Sequence, residues 1–134
     1  MNNQFQTNLI DSPISIDRLK ELAKQNYGEM IKGVVDLEKK ILALGGEMHA
    51  DAEQFLLESG SKQQNVWGFN LYPSESDLNN FIEYHSLINI RPNQGNRSMF
   101  IEIEEIREKV KEIILNLINR DDQQNSPDTY SGKI

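Results

Sequence analysis

No cysteine occurs among the 134 residues, which removes disulfides, zinc–thiolate sites, iron–sulfur clusters and thiol nucleophiles at once. No apolar run approaches the about 20 residues of a membrane-spanning helix. The first residues, MNNQFQTNLIDSP, hold neither a basic flank nor an apolar stretch of the secretory type. Bases are the minority, 14 Lys and Arg against 21 Asp and Glu, leaving a net charge of −7. That balance repels a nucleic-acid backbone, because affinity there needs Lys and Arg gathered on one face. These absences predict a soluble, cytoplasmic protein with no cofactor, no membrane contact and no nucleic-acid partner. Hydrophobic residues make up 37%, enough for one modest core in a chain of this length and not for two.

The acidity is concentrated. Between positions 47 and 86, Glu47, Asp51, Glu53, Glu58, Glu75, Asp77 and Glu83 face a single base, Lys62. Between Glu83 and Glu102 there is no acid, while His85, Arg91 and Arg97 fall there. The Asn- and Gln-rich residues 1–14 show no period and read as a mobile tail. Residues 120–134 hold only Tyr130 and Ile134 as apolar side chains, so they read as a second mobile tail. A single domain over residues 15–119 remains.

Pro13, Ser15 and Asp17 mark a helix start, with Ile16, Leu19, Leu22 and Ala23 as its apolar stripe and Gly28 as its stop. Met30 to Leu44 is dense in β-branched residues, interrupted by Glu38, Lys39 and Lys40. It reads as a hairpin turning near Glu38–Lys39, or else as one long bent strand. Ala50 to Ser59 reads as a helix and Val66 to Tyr72 as a strand with Trp67, Phe69 and Leu71 on one face. Phe81 to Ile90 reads as a further strand, ended at Arg91 by Pro92. Ile103, Ile106, Val110, Ile113, Ile114, Leu117 and Ile118 step by three and four, the period of an amphipathic helix. The order α-β-β-α-β-β-α predicts an α+β fold, an antiparallel sheet of about four strands with helices on one face.

The blocks VVDLEK, GGEMHAD, LLESGSKQ, WGFNLYP and INIRPNQGNRS, spread over residues 30–118, resemble a family of small bacterial and archaeal proteins catalogued only as a domain of unknown function. The resemblance implies no activity, and both tails fall outside it.

Chemistry has few places to sit. The stretch Arg91-Pro-Asn-Gln-Gly-Asn-Arg-Ser98 offers Arg91, Asn93, Asn96, Arg97 and Ser98 around one glycine. Guanidinium forks recognise carboxylate and phosphate, and turn amides can cradle an anion. The plainer reading is that Arg91 and Arg97 pair with acids of the middle block and fix the loop. His49, Asp51 and Glu53 form a second cluster, since His49 and Glu53 would stand one helical turn apart and suit a divalent metal. Asp51 serves equally as a helix cap or first-turn acid. Ser61, Ser86 and Ser98 lack an elbow motif, which disfavours a Ser–His hydrolase. Trp67, Phe69 and Tyr72 could stack bases, but at period two beside Leu71, Trp67 and Phe69 read as core.

Two functions are therefore expected to compete. One is a non-catalytic binding or self-association module. The other is a small enzyme or binding protein for a phosphorylated or carboxylated molecule, with Arg91 and Arg97 holding the anion and His49 or His85 moving a proton.

Overall fold

The computed structural model describes residues 5–120. Two short strands come first, β1 (Asn8–Ile10) and β2 (Ile14–Ser15). Ser15 caps α1 (Ile16–Lys24) by accepting a hydrogen bond from the Arg18 amide at 3.0 Å. Leu19, Leu22 and Ala23 are its buried face, and the chain leaves it at Gly28, whose N–H donates to the Ala23 carbonyl. The hairpin follows as β3 (Ile31–Asp36) and β4 (Ile41–Leu44). No Asn-Gly makes its turn. Instead, Asp36 Oδ1 accepts from the Glu38 and Lys39 amides at 2.8 and 3.0 Å, and Ser61 Oγ donates to Asp36 Oδ2 at 2.6 Å.

After Gly45-Gly46 comes α2 (His49–Glu58), then β5 (Val66–Leu71), a one-turn α3 (Leu78–Phe81) and β6 (Ile82–Glu83). The long terminal helix α4 (Glu104–Leu117) runs into β7 (Ile118–Asn119). The main sheet is five-stranded and antiparallel, in the order β1-β4-β3-β5-β6. A separate parallel pair, β2 with β7, clasps the start of α1 to the end of α4.

Alternation along the central strands gives the sheet two buried faces. Ile31, Val35, Leu42, Leu44, Trp67, Phe69 and Leu71 meet α1 and α4 in the main core. Val34, Ala43 and Val66 meet Ala52 and Leu56 of α2 in a smaller one. Helices thus cover both faces, not one. The sheet also has five strands where about four were expected, and the element order differs accordingly.

Three further expectations are corrected. Residues 8–10, assigned to a mobile tail, form the edge strand β1, held because Ile10 is buried in the main core. Residues 14 and 15 pair with Ile118 and Asn119. At the other end Arg120 is buried, its Nη2 donating to the carbonyls of Glu75 and Ser76 at 3.2 and 2.6 Å and its guanidinium 4.3 Å from the Phe81 ring centre. The remainder of that expected tail, residues 121–134, lies outside the described residues, as do residues 1–4. Finally, the expected strand Phe81–Ile90 survives only as Ile82–Glu83 and a bridge between His85 and Phe100. Ser86 Oγ accepts from the Ile88 amide at 3.2 Å and starts a 3-10 turn, Leu87–Asn89, that pulls the chain out of the ladder.

Candidate functional site

Most of the polar residues expected to bind a ligand are engaged by the fold itself. Arg91 is buried. Its Nε donates to Ile88 O at 2.9 Å, Nη1 to Gln63 O at 2.8 Å and Gln94 Oε1 at 3.4 Å, and Nη2 to Val66 O at 2.5 Å. Glu53 Oε2 lies 3.6 Å from Nη2, and the guanidinium sits 4.7 Å from the Trp67 ring centre. Burial pulls the Arg91 pKa down from its ordinary value and Glu53 pushes it back up. An arginine so occupied is a clamp between α2, β5 and the loop. Asn96 is equally internal: its Nδ2 donates to the carbonyls of Asn89, Ser98 and Phe100 at 2.8–3.0 Å, and its Oδ1 accepts from the Glu102 amide at 2.7 Å. Ser98 Oγ donates to Phe100 O. Asn93 and Arg97 are exposed. The two guanidiniums therefore do not share one space.

The cluster His49, Asp51, Glu53 also separates. Asp51 Oδ2 accepts from the Met48 amide at 3.0 Å and caps α2, while Glu53 faces Arg91. His49 Nε2 lies 2.8 Å from Phe69 O; a carbonyl only accepts, so Nε2 carries the proton in the neutral ring and Nδ1 is an acceptor. Among the described residues no group of three or more His, Asp or Glu gathers as a metal site.

What the structure brings together is different. Lys32, Asn70 and Glu83 stand side by side across β3, β5 and β6, on the face that α2 covers further along. They floor a groove of about 580 Å³. His49 and Met48 wall it at the start of α2, with Leu87 and Met99 opposite. The opposite wall can lie this close because residue 68 is glycine: a Cβ there would come 2.6 Å from Ser86 Cβ. Asn89 fixes the same contact, its Oδ1 accepting from the Gly68 amide at 2.8 Å and its Nδ2 donating to Gly68 O at 3.0 Å. A side-chain amide thus stands in for a missing strand.

In the groove Glu83 Oε1 accepts from Asn70 Nδ2 at 2.8 Å and from the Tyr72 hydroxyl at 3.1 Å. Burial, followed by that hydrogen bond and the Glu83 charge, raises the Tyr72 pKa. The His49 pKa is lowered from its ordinary 6.5, chiefly by burial and also by Lys32, against the opposing pull of Phe69 O, Asn70 and Glu83. A folded-state pKa below the unfolded one means the unfolded chain binds the proton more readily. The stability His49 contributes is therefore present above pH 6.5 and declines as pH falls below it toward the folded value. The melting temperature of the wild type should fall more steeply from pH 7 to 5 than that of His49→Gln, which keeps a donor for Phe69 O. Parallel acid slopes for the two proteins would refute this.

A family model described as "Protein of unknown function (DUF5674)" matches residues 8–117. The chain belongs to the DUF5674 family. The DUF5674 match begins at the first residue of β1, inside the stretch read as a tail, and contains every groove residue named above. Neither a curated protein nor a solved structure matches the chain. Within the DUF5674 region, sequence reasoning reached His49 and His85 and weighed Tyr72 as a stacking ring, but missed Lys32, Asn70 and Glu83 as site residues. One signal was available: Asn70 is a polar residue inside the otherwise apolar run VWGFNL, where a buried amide needs a partner.

Proposed function

We propose that this DUF5674 protein is a non-catalytic binding module whose ligand site is the groove over Lys32, Asn70 and Glu83. The observation that carries this reading is the mismatch between rim and floor. Met48, Leu87 and Met99 are 54%, 65% and 42% exposed around a floor whose Asn70 is only 8% exposed. Apolar side chains left in water around a concave, polar-floored site are the usual form of a small-ligand pocket. Methionines add a rim that adapts to the guest. Ser86 Oγ, the hydroxyl at the groove wall, is engaged as the cap of the 3-10 turn rather than paired with a base, which supports binding over catalysis. The engagement of Arg91 with Glu53 and four acceptors weighs against an anion clamp in the 91–98 loop. A second copy is a poorer occupant, because each carries a net charge of −7. The lack of cysteine supports a cytoplasmic setting, and no helix among the described residues is long and apolar enough to cross a membrane.

The test uses methyl-13C-methionine protein and 1-hexanol as a neutral apolar probe. Saturable shifts at the Met48 and Met99 methyls are expected, and Leu87→Asp should abolish them. Shifts absent at both methyls, or unaffected by that substitution, would refute the reading.

A further inference from the structure

We infer that the groove is selective for a small organic cation, an alkylammonium ion seated on Glu83 with its hydrocarbon along the Met48, Leu87 and Met99 rim. This rests on the binding-module reading and narrows it to a ligand class.

Glu83 is held in place without being neutralised. Both groups that donate to its Oε1, the Asn70 amide and the Tyr72 hydroxyl, are uncharged, and among the described residues it forms no ion pair. The nearby cations are turned to other tasks. Lys32 holds its ammonium 5.2 Å from the Tyr27 ring centre. Arg107 donates to the carbonyls of Ile101 and Glu102 and lies over Phe100. Arg91 faces Glu53. Lys111 borders the neighbouring depression that shares Tyr72, Glu83 and His85 with the groove, and it forms no ion pair with Glu83. A carboxylate preorganised by neutral donors, with one oxygen still open, is an acceptor built for a positive guest.

A second observation points the same way. The buried Asn70 Oδ1 has no hydrogen-bond donor in bonding geometry among the described residues, although it lies near enough to His49 to oppose the burial that lowers that ring's pKa. The floor therefore carries an unsatisfied acceptor next to Glu83, as well as the Lys32 ammonium. An ammonium group brings three donors and no acceptor. The positive features of the groove are already engaged: the Lys32 ammonium stands 5.2 Å from the Tyr27 ring centre, and the N-terminus of α2 carries its own anion, Asp51 on the Met48 amide. A carboxylate or phosphate guest would find that end occupied and would meet Glu83 instead. The volume of about 580 Å³ suits a small molecule with a chain of several carbons.

Three probes with one hydrocarbon and different heads test the class at pH 7.5 and fixed ionic strength: hexylammonium, 1-hexanol and hexanoate. The methionine methyl resonances report each titration. Hexylammonium should bind tightest and hexanoate weakest. Glu83→Gln, which keeps the acceptor for Asn70 and Tyr72, should weaken hexylammonium about tenfold and 1-hexanol by no more than about twofold, because the alcohol loses no charge–charge attraction. A melting temperature like that of the wild type shows that the variant is folded. Hexanoate binding as tightly as hexylammonium, or an unaltered amine affinity in Glu83→Gln, would overturn the cation class while the alcohol still established a binding groove. If no probe moves the Met48 or Met99 methyls, both readings fall.

Discussion

Replacing Arg91 by alanine should cost about 3–5 kcal/mol of folding stability, the scale for breaking one partner out of a buried ion pair. The substitution leaves Glu53, nearly as buried as its partner, facing an empty space. It also strands the carbonyls of Ile88, Gln63 and Val66, which Arg91 now supplies with donors. Three segments lose their common anchor together: α2 through Glu53, the backbone at Gln63 and Val66 leading into β5, and the 88–91 chain. Urea unfolding measures the loss directly. The same experiment with millimolar phosphate separates a structural clamp from a ligand clamp, since anion should restore nothing if the arginine is internal. Glu53→Gln should cost less, because a neutral amide still accepts from Arg91. A loss below about 1 kcal/mol for Arg91→Ala would mean that water replaces the guanidinium without penalty.

Ile113→Asp should leave the domain unfolded. Ile113 is buried on α4 within the main core, beside Val110, Ile114 and Leu117. An aspartate there loses the packing of a large aliphatic side chain and buries a charge among residues that offer it no donor. Together these effects exceed about 4 kcal/mol, a large part of the 5–15 kcal/mol that holds an ordinary domain together. Far-ultraviolet circular dichroism and a thermal melt suffice as readouts. A cooperative transition near the wild-type temperature would show that α4 can be lifted from the sheet at little cost.

α4 and the α1 stripe were legible because their apolar residues repeat every three or four positions, and β5 because Trp67, Phe69 and Leu71 alternate. The turn of the hairpin was placed correctly even though its device, the Asp36 carboxylate under the Glu38 and Lys39 amides, was not foreseen. β1 escaped notice because three residues carry no period, and their partner, β4, lies more than thirty positions away. The 81–90 stretch misled for the opposite reason. Its apolar and aromatic residues, closed by Pro92, are rich enough for a strand, but Ser86 and Asn89 bond to backbone and bend the chain off the ladder. The site was the least legible part. Asn70 and Glu83 are thirteen positions apart and become neighbours only through the register of β5 with β6. Composition could mark Arg91 as a charged residue in a loop, but not which way the loop would turn it.

The way β5 is finished bears on how the molecule behaves when crowded with copies of itself. Open strand edges recruit other chains and seed aggregation. Here β6 covers only the last part of β5, and the rest is closed by the Asn89 amide on Gly68 and the Arg91 guanidinium on Val66 O. Side chains used in this way cap backbone groups without presenting new ones, so the ladder cannot be continued from them. Among the described residues the outer strands of the main sheet are β1, of 3 residues, and β6, of 2, too short to template an incoming strand. Closing β5 with asparagine and arginine side chains is thus expected to disfavour edge-to-edge aggregation.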